Sequence, residues 1–314
     1  MSNTVLVTGA AGFAGSYVIE LLAAQGADIL AWHRPGGRKP YDSPRTVWQE
    51  VDLLDFGVVK RAINSARPSR VYHCGGVAHV GRSWNDTAET FAVNVRGTHY
   101  LFEALRQASV EARVVIPSSA LVYSFSEEFL DEDQPLVPAS PYGVSKLAQE
   151  LLGRRASNGR LSVVIGRAFN HIGPRQDPAF AASGFARQIA EIELGRREPV
   201  VVVGNLESRR DTTDVRDTVR AYQLILERGQ TGSAYNISSG ATIAMGDILD
   251  LLRQRAMVPV RVSVDETRFR PNDAPTLIGD SSLIRNQLGW TPTIPLSQTL
   301  DDLLTYWRKT LRSA

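Results

Sequence analysis

Short apolar runs alternate with helix-spaced apolar positions along the first half of the chain, and no internal repeat breaks that alternation. Each run is rich in Val, Ile or Leu and almost continuously apolar, which is typical of strands buried on both faces of a parallel sheet. The pattern therefore predicts a doubly wound parallel α/β sheet. The predicted strands are Thr4–Thr8, Asp28–Trp32, Arg70–His73, Ala112–Pro117 and Leu161–Arg167, and the predicted helices include residues 18–22, 94–105 and 146–152.

The second half of the chain is less regular and predicts a smaller, mixed α/β substrate-binding domain. Pro and Gly interrupt it often, and apolar residues return to helical spacing at 215–226 and 296–311. We place the sheet domain at residues 1–169 and the second domain mainly at 170–314. The segment near 212–240 is the exception, because its helix is alternatively predicted to pack against the first domain.

Composition and charge exclude several classes of protein. Of the 314 residues, 43% are hydrophobic and 22% are charged, which is a globular balance. At about 150 residues per domain, the length predicts about two domains. The 35 Lys and Arg against 33 Asp and Glu leave a net charge of +2, so we expect no nucleic-acid partner. A single cysteine, Cys74, excludes an internal disulfide and a cysteine-rich zinc site, and no metal is predicted.

Nothing in the sequence predicts a membrane partner or export. No uninterrupted apolar run approaches the roughly 18 residues that a membrane span needs. The chain carries no Lys or Arg before Arg34, so its start does not resemble a signal peptide. We therefore expect a cytoplasmic protein.

Three glycines, Gly9, Gly12 and Gly15, follow the first predicted strand and begin a helix. The first permits a tight turn, the second lets the backbone approach a pyrophosphate, and the third allows close helix–strand packing. The helix N-terminus, with Phe13 and Ala14 in its first turn, offers free N–H groups and a partial positive charge to a phosphate. This context predicts dinucleotide binding, and a merely tight connection is the alternative.

The second predicted strand is followed by Arg34, where an NAD-preferring site usually has Asp or Glu for the ribose 2′-hydroxyl. Arg34, with Arg38 and Lys39 nearby, favours a 2′-phosphate through charge-assisted hydrogen bonds. The predicted cofactor is therefore NADP(H). A solvated basic loop is the alternative interpretation.

Tyr142 and Lys146 lie four residues apart and share one face of a predicted helix, which Ser140 and Pro141 begin. The ordinary pKa of tyrosine is about 10. A neighbouring ammonium and a cationic oxidised nicotinamide both lower that pKa, so we expect Tyr142 to exchange a proton with a substrate oxygen near neutral pH. A pair on the helix surface without chemistry is the alternative.

These motifs together resemble the extended short-chain dehydrogenase/reductase family, in its nucleotide-sugar branch. The Gly-x-x-Gly-x-x-Gly spacing, the Tyr-x-x-x-Lys pair and a Ser-Ser-x-x-x-Tyr segment at 118–123 carry the resemblance. It implies a Rossmann-like fold, and it implies that Ser119 is catalytic and hydrogen-bonds the substrate oxygen. The further cofactor contacts that it implies are at Asp52, Leu53, Gly75 and Asn94.

Three motifs in the second half extend the resemblance: the first is typical of the whole branch, and the other two resemble those of its members that modify GDP-mannose. Residues 167–174 resemble Arg-x-x-Asn-x-x-Gly-Pro, residues 204–211 resemble Gly-Asn-Leu-x-x-x-Arg-Asp, and residues 270–277 resemble Arg-Pro-x-Glu-x-x-x-Leu with Asp in place of Glu. Guanidinium groups suit a diphosphate because they contact phosphate oxygens in pairs, and solvated surface charge is the alternative. The implied substrate-binding residues are Ser83, Asn170, Asn205, Arg210, Arg270 and Asp273.

The resemblance implies an NADP-dependent oxidoreductase that reduces the C4 ketone of GDP-4-keto-6-deoxy-D-mannose, with GDP-D-rhamnose as the expected product. Dehydratases of the branch carry a Glu two residues before the Tyr of the serine segment, and this chain has Leu121 there. Leucine transfers no proton, which favours a reductase.

Two other functions remain open from the sequence. One is a GDP-sugar 4,6-dehydratase or epimerase, with Glu127 or Glu128 as the carboxylate that reaches the site. The other is a cofactor-sensing protein without turnover, which the presence of Tyr142, Lys146 and Ser119 argues against. Relatives in the branch also imply a homodimer, formed through the helices around 90–107 and 142–155.

Overall fold

The computed structural model describes residues 4–37, 39, 43–124, 126, 128–157, 159–269 and 276–313. The strands in these ranges are β1 (Val5–Thr8), β2 (Ile29–His33), β3 (Thr46–Glu50), β4 (Arg70–His73), β5 (Ala112–Ser119), β6 (Leu161–Ala168), β7 (Asn170–Ile172), β8 (Val200–Val203), β9 (Arg209–Asp214), β10 (Ala234–Ile237), β11 (Thr242–Ala244), β12 (Arg261–Val264) and β13 (Thr276–Leu277). The helices are α1 (Phe13–Ala24), α2 (Phe56–Ala66), α3 (Val80–Asn85), α4 (Thr87–Phe91), α5 (Thr98–Gln107), α6 (Pro141–Ala156), α7 (Ala181–Glu193), α8 (Val215–Arg228), α9 (Met245–Arg253), α10 (Ser282–Leu288) and α11 (Leu296–Arg312).

Seven parallel strands form the main sheet, in the order β3-β2-β1-β4-β5-β6-β10. The order runs outward from β1 in both directions, which is the doubly wound arrangement and confirms the predicted fold class. All five predicted strands lie in this sheet. β5 runs two residues beyond its predicted end, because Ser118 and Ser119 continue the ladder opposite Arg167 and Ala168 of β6.

Helices cover both faces of the main sheet. On one face, α1, α8 and α10 bury an apolar cluster that includes Val7 and Tyr222, and on the other, α2 and α5 bury a cluster that includes Leu6 and Leu105. Leu6 and Val7 are neighbours on β1, so their side chains point to opposite faces of the sheet. Burial on both faces therefore accounts for the continuously apolar sequence of this strand.

The segment after β6 divides between the main sheet and a smaller set of elements. α8 packs against β5 and β6, and β10 pairs with β6. Elsewhere in this half, β7, β9, β11 and β13 form a four-stranded mixed sheet, and β8 pairs with β12. Helices α7, α9 and α11 bury a separate apolar cluster that includes Ile189, Leu249 and Leu304. The division of the chain at 169/170 stays a prediction.

The helix predicted across 94–105 contains an interruption. α4 ends at Phe91, residues Ala92–Gly97 form a π-helical turn, and α5 begins at Thr98. The Asn94 side chain in this turn bonds both backbone groups of Val77, at 2.7 and 3.1 Å. Such π turns are frequent at functional sites, and this one packs against α6.

Among the helices of the described residues, none combines the length and the apolar character needed to cross a membrane. The same part of the chain holds no group of three or more His, Cys, Asp or Glu side chains arranged for a metal ion.

Candidate active site

The turn between β1 and α1 has the backbone geometry that phosphate binding needs. Gly9 has a φ of +60°, and a Cβ built on it would lie 2.6 Å from the Cys74 carbonyl oxygen, so glycine is required there. Gly12 is the N-cap residue of α1 and has no side chain with which to cap this helix N-terminus. The first-turn amides of Phe13 and Ala14 are therefore available to an anion. These residues fit the pyrophosphate of a dinucleotide.

Phe13 and Gly15 fix the first turn of α1 against its surroundings. Gly15 has no room for a side chain, because the Gly9 carbonyl lies against it. The Phe13 ring stacks on the His171 ring, with 5.7 Å between centroids and 5° between planes. Burial lowers the pKa of His171, so this partner is a neutral imidazole at neutral pH. The stack joins the predicted cofactor turn to β7, which carries one of the predicted substrate motifs.

The other predicted cofactor residues follow the ends of neighbouring parallel strands. Arg34 follows β2 and Asp52 follows β3, and both side chains are exposed. Leu53 is partly buried, and a Cβ built on Gly75 would lie 2.6 Å from its Cδ1, so these two residues are in close contact. The crevice at the carboxyl ends of the strands is where doubly wound sheets bind nucleotides. The structure therefore brings Arg34, Asp52, Leu53 and Gly75 to the same edge as the glycine turn.

Ser119, Tyr142 and Lys146 meet where the end of β5 lies against α6. The helix approaches the strand end closely, because Gly143 presents no side chain to the Leu121 carbonyl that lies against it. This approach brings the Tyr142 phenol within hydrogen-bonding range of the Ser119 side chain. The predicted catalytic residues are thus neighbours at the carboxyl end of β5, with Tyr142 and Lys146 buried and Ser119 partly buried.

The protonation of these residues differs from the sequence expectation. Burial raises the pKa of Tyr142 to about 12, and its hydrogen bond with Ser119 lowers that pKa only in part. The Lys146 ammonium instead donates to the Pro117 carbonyl at 2.5 Å and to Gln149 Oε1 at 2.7 Å. Burial lowers the pKa of Lys146 to about 8. A lowered Tyr142 pKa is therefore wrong for the protein alone, and the phenol is protonated at neutral pH, as a general acid must be.

Ser83 and Asn94 are buried beside α6 and bond to other groups of the protein. Ser83 Oγ donates to the Val80 carbonyl at 2.7 Å and accepts from the Tyr142 backbone N–H at 3.2 Å. The Asn94 side chain donates to Ser145 Oγ at 2.9 Å. Both side chains thus help to place α6, and their contacts with substrate and cofactor stay predictions.

Apart from Ser83, the predicted substrate residues that the structure describes lie on or beside the small mixed sheet. Asn170 of β7 is opposite Thr212 of β9, and Arg210 comes two residues earlier on β9. Because alternate residues of a strand share a face, Asn170 and Arg210 lie on the same face of this sheet. Asn205 is in the exposed loop before β9, where its Oδ1 accepts from the Glu207 N–H at 2.9 Å.

Four residues named from the sequence lie outside the described residues. They are Arg38, Glu127, Arg270 and Asp273.

Comparison with known proteins places the chain in a family. The family model described as GDP-mannose 4,6 dehydratase matches residues 6–303. The chain belongs to this family. The match confirms the resemblance drawn from the motifs, and this family member is an enzyme of the NAD(P)-dependent oxidoreductase type.

Individual relatives cover almost the whole length of this family member. It is 31% identical to GDP-6-deoxy-D-mannose reductase of Pseudomonas aeruginosa, over 99% of each chain. It is 27% identical to GDP-mannose 4,6-dehydratase of Vibrio cholerae, over 97% of this chain and 93% of that protein. The solved structure of RMD from Pseudomonas aeruginosa complexed with NADPH superimposes with a TM-score of 0.86 at 29% identity, over 98% of this chain and 100% of that chain.

Leu121 occupies the position at which the sequence analysis expects a Glu in a dehydratase. Leu121 is partly buried and packs against a small apolar cluster that includes Val122, Leu130 and Phe169. Its backbone N–H donates to Ser119 Oγ at 3.2 Å. Leu121 therefore contributes a backbone hydrogen bond to Ser119 and an apolar side chain.

A buried ion pair that the sequence did not predict lies beside the site. Arg167 Nη2 lies 2.8 Å from Glu150 Oε2, and each side chain is only 1% exposed. Glu150 also accepts from Ser118 Oγ at 2.5 Å, and Arg167 Nη1 donates to the Tyr123 hydroxyl at 2.8 Å. One signal was available, because Glu150 follows Lys146 by four residues and so lies on the same helix face.

Proposed function

We propose that this protein reduces the C4 ketone of GDP-4-keto-6-deoxy-D-mannose with NADPH, giving a GDP-6-deoxyhexose, with GDP-D-rhamnose as the expected product. The observation that carries the proposal is that Leu121, whose backbone contacts Ser119 and Gly143 next to Tyr142, has an apolar side chain. The site has a buried phenol to donate a proton, and its dehydratase position has no acid or base. The full-length similarity to a GDP-6-deoxy-D-mannose reductase supports the same assignment.

In this proposal, each of the three neighbouring side chains has one task. Ser119 donates a hydrogen bond to the substrate carbonyl oxygen and holds it beside Tyr142. Tyr142 then transfers its phenolic proton to that oxygen as the oxygen gains charge. Lys146 keeps a positive charge close to the tyrosine that loses its proton. NADPH, when bound, supplies the hydride that adds to C4.

We assign the binding of the cofactor to the turn after β1 and to the strand ends beside it. The glycine turn with Phe13 and Ala14 suits the pyrophosphate, and Asp52 with Leu53 suits the adenine end. The exposed Arg34 is the group that suits a 2′-phosphate, since a guanidinium makes charge-assisted hydrogen bonds to it.

We assign the binding of the GDP-sugar to the half of the chain after β6 and to Ser83. Arg210, on the same sheet face as Asn170, supplies a guanidinium for the diphosphate. Asn205 and the two residues outside the described ranges, Arg270 and Asp273, complete this predicted set.

Two assays of the wild-type protein test the reaction. Supplied with GDP-4-keto-6-deoxy-D-mannose, it should oxidise NADPH in proportion to product, and NMR identifies the configuration at C4. Supplied with GDP-mannose and catalytic NADP, it should form no 4-keto sugar. Sustained formation of that sugar would replace the reductase with the dehydratase, and Glu128 would be the first carboxylate to change. A preference for NADH over NADPH would remove Arg34 from the cofactor site.

We also propose that the protein is a homodimer in the cytoplasm. An open surface groove of about 620 Å³ lies between α4, the π turn, α5 and α6, and its lining includes Phe91, Val95 and Leu152. Leu151, on the same helix as Leu152, is 59% exposed. A second copy of the chain, packed groove to groove, would bury this apolar surface.

Sedimentation velocity tests the dimer. The wild-type protein should sediment as a dimer, and Leu152→Arg should sediment as a monomer, because a charge replaces apolar surface in the groove. Val47→Arg, at a position that is 65% exposed on β3, is the matched control and should stay dimeric. A monomeric wild-type protein would remove the dimer from the proposal.

A further inference from the structure

A chain of buried polar side chains connects the predicted catalytic lysine to the turn after β1. Lys146 Nζ donates to Gln149 Oε1 at 2.7 Å, and Gln149 Nε2 donates to Thr98 Oγ1 at 2.7 Å. Thr98 Oγ1 lies 2.8 Å from His73 Nε2, and His73 Nδ1 lies 2.8 Å from Thr8 Oγ1. The side chains between Lys146 and the turn are all at most 2% exposed, so water does not compete for these bonds.

The donors and acceptors of this chain allow one arrangement of protons. Thr98 gives its single hydroxyl proton to the Asn94 carbonyl at 2.5 Å, so it accepts from both Gln149 and His73. His73 therefore carries its proton on Nε2, and its Nδ1 accepts from Thr8. Thr8 in turn accepts from the Gly75 N–H at 3.0 Å. Every bond is satisfied when His73 is neutral, and burial lowers the pKa of His73 to about 3, which agrees.

We propose that Gln149, Thr98 and His73 are positioning residues, which hold the Lys146 ammonium at a fixed place relative to the cofactor turn. This inference rests on the proposed catalytic role of Lys146. Two of the three N–H groups of Lys146 go to Gln149 and the Pro117 carbonyl, and the third is the one it can offer to a ligand of the site.

This series of hydrogen-bonded side chains fixes the position of the Lys146 ammonium and does not conduct protons. Its link next to the lysine is the amide of Gln149, which accepts through oxygen and donates through nitrogen. An amide passes no proton between these two atoms without changing to an unstable tautomer. Proton supply to Tyr142 is therefore not the function of Gln149, and its loss acts through the orientation and the pKa of Lys146.

Other groups around Lys146 also set its charge and must stay constant in a test. Burial lowers the pKa of Lys146, and the Glu150 carboxylate on α6 raises it. The Cys74 thiol, which follows β4, stays neutral where Lys146 titrates, because burial raises the pKa of Cys74 to about 12. Glu150 is itself paired with Arg167. His73 is neutral, and Tyr142 lies one helical turn before Lys146. A substitution confined to Gln149 leaves these groups in place.

The experiment measures the titration of Lys146 directly, in protein labelled with ε-¹³C lysine. The chain has only four lysines, Lys39, Lys60, Lys146 and Lys309, and the Lys146→Arg variant identifies the resonance. In the wild type its midpoint should lie near 8. Gln149→Met should lower the midpoint by about one pH unit, because a hydrogen bond to a charged group is lost. Gln149→Glu, which places a carboxylate beside the ammonium, should raise it.

The matched control is Gln188 of α7, whose amide makes two hydrogen bonds to the Val202 backbone, at 2.9 and 3.1 Å. Gln188→Met should leave the Lys146 midpoint unchanged. In the reductase assay, Gln149→Met should lower kcat about tenfold and move the alkaline limb of the pH profile to lower pH, with little change in the KM of the sugar.

The outcomes separate this inference from the proposed function. An unmoved Lys146 midpoint in Gln149→Met overturns the positioning role, whatever the enzyme reduces. A moved midpoint without ketone reduction upholds the positioning role and overturns the reductase. If Gln149→Met does not fold, ¹⁵N NMR of the wild-type histidines tests the positioning role through the tautomer of His73. The hydrogen bonds between Lys146 and Thr8 require His73 to be protonated on Nε2 alone. A proton on Nδ1 would contradict it.

Discussion

Replacing Tyr142 with phenylalanine is expected to lower kcat for the 4-keto sugar by about 10²- to 10⁴-fold, the range for loss of a general acid. NADPH should bind with little change in affinity. The variant removes only the phenolic oxygen, and the Tyr142 backbone N–H keeps its bond to Ser83 Oγ. Steady-state turnover and the quenching of NADPH fluorescence on titration measure the two effects separately.

Tyr235→Phe is the matched control for this loss. The Tyr235 hydroxyl accepts from the Gln230 N–H at 2.9 Å and donates to Gln287 Oε1 at 3.0 Å, on the outer strand β10. Its removal costs a similar number of hydrogen bonds away from the site, so turnover should stay near the wild-type value. Near-normal turnover in Tyr142→Phe would mean that another group protonates the substrate.

The sequence predicts best those features that depend on residues close together along the chain. Gly9, Gly12 and Gly15 are close in the sequence, and their close contacts lie within the turn itself or with the residues that follow β4. The placement of Tyr142 and Lys146 on one face of α6 follows from helical spacing alone. Continuous apolar runs predict buried parallel strands, because both faces of the main sheet are covered.

The features that the sequence does not predict depend on contacts between distant segments. The partner of Glu150 is Arg167, which the alignment of β6 with β5 brings beside Ser118. The raised pKa of Tyr142 follows from burial, which is a property of the whole fold. The spacing of apolar residues also cannot reveal the π turn at Ala92–Gly97. A π turn adds one residue to a helical turn, and the helix keeps its apolar face.

Ser83 illustrates the limit of motif transfer. The resemblance implies a substrate contact, and the structure has its hydroxyl between the Val80 carbonyl and the Tyr142 N–H. A hydroxyl with one proton and two lone pairs retains one acceptor site in this arrangement. From α3, Ser83 contacts the first turn of α6 and so supports Tyr142.

Removal of the Arg167 guanidinium is expected to destabilise the protein by about 3–5 kcal/mol, the cost of leaving one partner of a buried ion pair alone. Arg167→Met keeps an apolar side chain in place of the arginine stem but leaves the Glu150 carboxylate buried, with Ser118 Oγ as its remaining partner. Tyr123 loses a donor as well. Urea unfolding at pH 7 measures the free energy, and Arg160→Met, in an exposed pair with Glu111 at 3.8 Å, should change it little.

The double variant Arg167→Met, Glu150→Leu determines whether the two residues act as a pair. If the loss in Arg167→Met comes from the unpaired carboxylate, removing that carboxylate should restore much of the stability, since apolar residues replace buried ion pairs at little cost. Destabilisation equal to the sum of the two single variants would contradict the pairing. Ser118 also loses its acceptor in the double variant, and it precedes the predicted catalytic Ser119. A double variant that regains stability but not kcat would therefore show that the Arg167–Glu150 pair serves the site as well as the stability of the fold.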